Sequence, residues 1–262
     1  MQLKEVTLKV VDIAKEVGAF IREQRKTFST DQIEIKGLND LVSYVDKSAE
    51  QKIVAALENI LPGAGFITEE KTINKTGERY NWIIDPLDGT TNFIHGLPVY
   101  SVSIALQEYG ELVAGVVYEI NQDECFYACK GSPAYLNGKE IKVSNCPTVA
   151  QSLLATGFPY YDFGKQATYI ELFTELMRGC HGLRRLGSAA VDLAYTACGR
   201  FDAYYEYNLN AWDAAAGIVI VRQAGGEVVN FKGGDECLNT RELLATNGKL
   251  TKELLQVIQK YF

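Results

Sequence analysis

In the stretch Trp82-Ile-Ile-Asp85-Pro-Leu-Asp88-Gly-Thr-Thr-Asn-Phe93, two carboxylates stand three residues apart with no lysine or arginine between them. Carboxylates held that close repel each other, and a bound cation is the ordinary remedy. Magnesium fits: it takes hard oxygen ligands, often from a few carboxylates together with substrate phosphate. Gly89-Thr90-Thr91 then opens a predicted helix, where free backbone N–H groups face an anion and glycine lets that anion come close. An Asp-Gly turn with Asp88 as a helix cap is the plainer reading of Asp88 alone, but it does not account for the whole string. Upstream, Glu69-Glu70 closes a second short apolar run, Phe66-Ile67, and one of the pair is expected to turn inward as a metal ligand.

The chain offers little else that attacks an ester. His95 and His181 are its two histidines, and His95 is read as a structural helix residue. No Cys-x5-Arg or Ser-His-Asp arrangement supplies a covalent nucleophile, whereas metal-lowered water acidity needs no histidine base. Haloacid-dehalogenase phosphatases also carry an Asp-Gly-Thr string, but their two aspartates are spaced by two residues, against three here. Cys125, Cys129, Cys146, Cys180, Cys198 and Cys237 form no Cys-x-x-Cys pair, so zinc-ligand spacing is absent and reduced, packed thiols are expected.

Elements must bring these groups together. Residues 3–26 carry Leu3, Val6, Val10, Ile13, Val17, Phe20 and Ile21 on one helical face, and 43–60 form a second helix that stops at Pro62-Gly63. Phe66-Ile67 and Trp82-Ile83-Ile84 read as buried strands ending in carboxylates. Segments 99–107, 112–120, 124–128 and the piece around 134–141 alternate between turn signals, as in an antiparallel meander. Beyond about residue 147, strand-like runs at 153–156, 202–206 and 226–231 alternate with helical patterns at 165–178, 188–198, 212–224 and 250–261, which predicts an α/β half. Two closely packed parts are therefore expected, 1–146 and 147–262.

The 262 residues are 47% hydrophobic and 23% charged, enough to bury a full core, and the net charge of -7 comes with no basic stripe. Nucleic-acid binding is not expected. No apolar run approaches membrane-spanning length, and with no signal-like start a cytoplasmic location is expected.

Four blocks together resemble the inositol monophosphatase family over nearly the whole chain: Asn39-Asp40-Leu41-Val42 with Asp46, Phe66 to Glu70, Trp82 to Phe93, and Trp212-Asp213-Ala-Ala-Ala-Gly217 running to Gly226. The resemblance implies a layered αβαβα sandwich of the sugar-phosphatase type, with an antiparallel N-terminal sheet and a mixed C-terminal one. It implies two or three Mg2+ ions per site: one on Glu69, Asp85 and the Leu87 carbonyl, another on Asp85, Asp88 and Asp213. Glu70 would lie just outside the ligands, and Asp46 would hydrogen-bond Thr90 to orient the attacking water. Gly89 and Thr90 would grip the phosphate. Gly187-Ser188-Ala189 and Glu206 would meet the polyol, with Asp213 shared. The implied reaction is hydrolysis of a small polyol phosphate, inositol 1-phosphate first, with lithium sensitivity and a homodimer; fructose-1,6-bisphosphatase activity or a regulatory protein-binding role are the alternatives. Thr68 departs from the family's usual glycine before the glutamates. Asp192 and Arg184-Arg185 are read as surface pairing or an interface.

Overall fold

A computed structural model describes residues 2–29, 33–37, 40–159 and 164–262. Helix α1 (Leu3–Thr27) buries Val6, Val10, Ala14, Val17 and Ile21 along one stripe, as apolar spacings of three and four residues dictate. A short antiparallel hairpin follows, β1 (Ile33–Gly37) and β2 (Asp40–Ser43); Asn39 lies outside the described residues. Ser43 then caps α2 (Tyr44–Ile60). Its Oγ accepts from Val45 N, while Ser43 N donates to Asp46 Oδ2 at 2.8 Å. This reciprocal capping fixes the start of α2 and the rotamer of Asp46 together.

Next, β3 (Gly65–Thr68) pairs in parallel with β4 (Tyr80–Asp88). The six-residue helix α3 (Thr90–His95) leads into β5 (Ser101–Glu108), β6 (Glu111–Glu119), β7 (Glu124–Cys129), β8 (Ala134–Leu136) and β9 (Lys139–Ile141). From β4 onward each strand pairs antiparallel with the next, apart from the break that α3 makes in the chain, and the result is a seven-stranded sheet in sequence order. The meander expected from the alternation is this sheet.

The rest of the chain runs β10 (Leu153–Thr156), α4 (Gln166–Gly179), β11 (Gly182–Arg184), α5 (Ala189–Ala197), β12 (Ala203–Tyr207), α6 (Ala211–Gln223), β13 (Glu227–Val229), α7 (Cys237–Thr240), β14 (Glu242–Thr246) and α8 (Thr251–Ile258). Its five strands lie in the order β11-β10-β12-β14-β13, the first three mutually parallel and β14 antiparallel to both its neighbours. Strands β11 and β14 fall outside the segments that periodicity predicts. The first has only three residues. The second, Glu-Leu-Leu-Ala-Thr, favours helix by composition, and pairing with β12 and β13 overrides that preference.

The layers follow from which faces are apolar. Helices α1 and α2 cover one face of the large sheet, packing on Trp82, Ile84, Ile104 and Val116. Helices α5 and α6 lie between the sheets, where Ile83, Ala105 and Val117 of one meet Tyr204, Leu243 and Ala245 of the other. Helices α4 and α8 close the far side over Ala203, Tyr205 and Leu244. The fold is thus an αβαβα sandwich. Among the described residues no helix is long and apolar enough to cross a membrane, and all six cysteines are free thiols.

Candidate active site

Where β4 ends, its register against β5 slips. Asp85 stands opposite Ser103 and Asp88 opposite Ser101, so three steps on β4 match two on β5. Side chains three apart on a regular strand point to opposite faces; the extra residue, beside a Pro86 that donates no hydrogen bond, restores a common face. The packing agrees, since Leu87 sits in the core under α1 and α2 while Asp85 and Asp88 line a cavity on the other side. Gly89 then takes a φ of 98°, and a Cβ there would lie 3.0 Å from Val99 O. The turn into α3 therefore wants glycine for both backbone angle and room.

That cavity has a volume of about 360 Å3 and draws its walls from both halves of the chain. Glu69, Asp85, Leu87, Asp88, Gly89 and Thr90 come from the β3–α3 region; Gly187, Ser188, Ala189, Glu206 and Asp213 come from α5, β12 and α6. Asp46 and Glu70 do not line it. Asp46 is buried one hydrogen bond behind: its Oδ2 is taken by Ser43 N and Oγ, which leaves Oδ1 to accept from Thr90 Oγ1 at 2.9 Å. Thr90 Oγ1 also lies 3.0 Å from the Leu87 carbonyl. Glu70 N donates to Glu50 Oε2 at 2.8 Å, and the Glu50 Oε1 atom accepts from Thr72 N and Oγ1, both at 2.7 Å.

Several residues that hold this site escape a reading by motif. Glu50 is wholly buried; its only sequence signal is its place four residues after Asp46 on the same helical face. Asn92 donates to Val99 O and Leu186 O at 2.8 and 2.9 Å, tying the α3 turn to the approach of α5. Arg241 bonds the carbonyls of Asn208 and Leu209 and so sets the turn that starts α6. There Asn210 N donates to Asp213 Oδ2 at 2.7 Å. Gly157 makes room for Glu206: a Cβ in its place would fall 2.0 Å from the Glu206 carboxylate. The reading of Asp192 as a surface residue is wrong. Only 1% of it is exposed, and it lines the cavity because α5 turns that face inward. Arg185 also lines the cavity, while Arg184 stays outside.

The electrostatics are those of crowded acids. Asp85 is lifted well above the usual carboxylate range by burial, then by the charges of Glu69, Asp88 and Asp213. Burial raises Asp213 to about 7, with Asp88 adding to it. Asp88 itself is raised by burial to about 6, against the pull of donors from Ser188 Oγ (2.6 Å) and Ala190 N (2.7 Å). Glu206 is pushed by burial to about 8, although Tyr204 donates to it. Each of these acids wants a proton or a cation, and the donors are all hard oxygens, so the set fits a divalent cation such as Mg2+. Among the described residues no three acidic, histidine or cysteine side chains stand gathered at one metal position. Hydrogen bonds engage one oxygen each of Asp88, Asp213 and, through Leu87 N at 3.0 Å, Asp85, and leave the other oxygen of each carboxylate as a possible ligand.

The sequence profile of the inositol monophosphatase family matches residues 2–261. The chain belongs to the inositol monophosphatase family. An inositol-1-monophosphatase of Mesorhizobium japonicum is 37% identical over 252 residues, covering 96% of this chain and 95% of the relative. The Nus factor SuhB of Escherichia coli K12 is 40% identical over 246 residues, 94% of this chain and 92% of that one. Among solved structures, the extragenic suppressor protein suhB of Bartonella henselae superposes with a TM-score of 0.94 at 38% identity, over 98% of this chain and all of the other. Membership makes this inositol monophosphatase relative a phosphatase of generally metal-dependent type.

Proposed function

We propose that this chain hydrolyses the phosphate monoester of a small polyol, inositol 1-phosphate first, using two or three Mg2+ ions. One observation carries the reading: a single cavity joins Asp85, Asp88 and Asp213 to Glu206, so charge-neutralising and hydroxyl-binding groups face one volume. Glu69, Asp85, the Leu87 carbonyl, Asp88 and Asp213 would hold the metal. When bound, it supplies positive charge to the phosphate and makes water acidic enough to attack at neutral pH.

The protein's own groups do the rest. Thr90 Oγ1, held between Asp46 and the Leu87 carbonyl, orients the attacking water; as its oxygen bonds to phosphorus and the bond to the alcohol oxygen breaks, its proton passes through that network to Glu69 or Glu70. Gly89 and Thr90 amides grip the phosphate as it gains charge. Gly187, Ser188 and Ala189 shape the alcohol's approach, and Ser188 steadies Asp88 through its 2.6 Å bond. Glu206 accepts a hydrogen bond from a hydroxyl of the leaving polyol. Lithium is expected to inhibit by occupying a cation position after product forms, and a cytoplasmic homodimer is the expected working form.

Phosphate release from inositol 1-phosphate, fructose 1,6-bisphosphate, glycerol 2-phosphate and adenosine 3′,5′-bisphosphate, with and without Mg2+, tests this directly. Inositol 1-phosphate should be turned over best, and only with Mg2+; fastest release from the nucleotide would overturn the polyol assignment. The relatives named Nus factor SuhB support a second reading, a protein-binding regulatory role beside the activity. Purification from native lysate followed by mass spectrometry separates it: recovery of the chain without stoichiometric partners counts against that role.

A further inference from the structure

Among the described residues, Asp192 is a buried carboxylate whose Oδ1 meets no hydrogen-bond partner. It lies in the first turn of α5, where its backbone N–H bonds Ser188 O in the ordinary helical way. Its neighbours Val191, Leu193 and Ala194 are apolar and fully buried. The side chain is itself 1% exposed, and its Oδ1 is sealed without a hydrogen-bond partner. Among the described residues no side chain or backbone group donates to this carboxylate at all. Buried polar groups nearly always have partners, and an apolar residue here would cost the fold less. Packing alone therefore does not explain an aspartate.

Its position does. Asp192 lines the same cavity as the metal-type carboxylates, but beyond burial the charges that act on it are Glu206 first, then Asp88, with Arg185 alone attracting it, whereas Asp85 feels Glu69, Asp88 and Asp213. It therefore groups with Glu206, the polyol side of the site, in a cavity that Gly157, Phe158 and Arg185 also line. A hydroxyl both donates and accepts, so it satisfies a carboxyl group in either protonation state.

We propose that Asp192 is a second hydroxyl-reading carboxylate, set beside Glu206 so that the pair takes two hydroxyls of one polyol. The assignment rests on the phosphatase reading above and narrows it: the substrate alcohol carries at least two hydroxyls besides the esterified one. A monohydroxylated or aromatic leaving group leaves Asp192 unpaired, and sites built around a hydroxyl discriminate strongly against partners that lack it.

The test compares wild type, Asp192→Ala and Asp192→Asn on inositol 1-phosphate and on p-nitrophenyl phosphate, with saturating Mg2+ and the full chain. The readout is the ratio of kcat/KM between the two substrates. Asp192→Ala should lower that ratio by about ten- to a hundredfold, the loss of a hydrogen bond to a charged group, and mainly through KM for inositol 1-phosphate. Asp192→Asn, which still meets a hydroxyl and keeps the same volume, should recover part of it. An unchanged ratio in both variants overturns the proposal, whether the two activities hold or fall together; falling together with a lower Tm identifies Asp192 as a brace for α5. If the wild type releases phosphate from neither substrate, the phosphatase reading fails first and the hydroxyl assignment goes with it, an outcome distinct from an unchanged ratio in an active enzyme.

Discussion

Glu206→Gln should make the metal-free protein more stable, and increasingly so as pH rises. Burial lifts this carboxyl from 4.5 to about 8, so the native state holds a proton that the unfolded chain has already lost. Its contribution to stability is then complete below about pH 4.5 and disappears as pH climbs through about 8. Linkage over that interval gives on the order of 4 kcal/mol lost by the wild type between about pH 5 and pH 9. Glutamine keeps the shape, still accepts from the Tyr204 hydroxyl, and titrates nowhere in this range. For a chain of this size each kcal/mol moves Tm by roughly 2–4 °C, so the two proteins should melt about 10 °C apart at pH 9 and almost together at pH 5. Thermal unfolding followed by circular dichroism in EDTA, at half-unit pH steps, measures the difference directly. The remaining acids are present in both proteins and largely cancel. Parallel Tm curves across the whole range would show that the Glu206 charge is solvated, and the electrostatic account of the cavity would be wrong.

Asp88→Asn should cut phosphate release at least about a hundredfold with little change in Tm, because an amide oxygen can accept from Ser188 and Ala190 as the carboxylate does; near-normal turnover would remove Asp88 from the metal scheme. Mg2+ should raise Tm more at pH 8 than at pH 5, since Asp88 and Asp213, lifted by burial to about 6 and about 7, hold protons at the lower pH and metal must displace them; an equal shift at both pH values refutes this. Thr68→Val should raise Tm by a few degrees, because the Thr68 hydroxyl is buried without a partner and an unsatisfied hydroxyl costs about 1–3 kcal/mol; a drop in Tm would mean that the hydroxyl is engaged.

Much of this protein can be read from local pattern. The stripe of Val6, Val10, Val17 and Ile21 specifies α1, and the alternation of 99–141 specifies the meander, because helix and strand periods act over a few residues at a time. The Asp-Pro-Leu-Asp-Gly-Thr string shows by itself that acidic groups and a glycine turn meet at a strand end. Local pattern is silent where partners are distant. Nothing in 242–246 predicts a central strand; it becomes one because β12 and β13 supply its hydrogen bonds.

The site divides the same way. Residue type and spacing point to Asp85 and Asp88, and the family resemblance to Asp213, but only the register slip against β5 puts Asp85 and Asp88 on one face, and only the packing of α5 and α6 between the sheets brings Asp213 to them. Glu50, Asn92 and Arg241 act through backbone groups far away in sequence, so their roles have no local signature. Asp192 is the sharpest case. In the sequence it is a charge on a helix, for which the surface is the ordinary place. Which side of α5 faces the cavity is decided by the sheets on either side of it, and that alone turns an unremarkable aspartate into a buried acid lining the cavity.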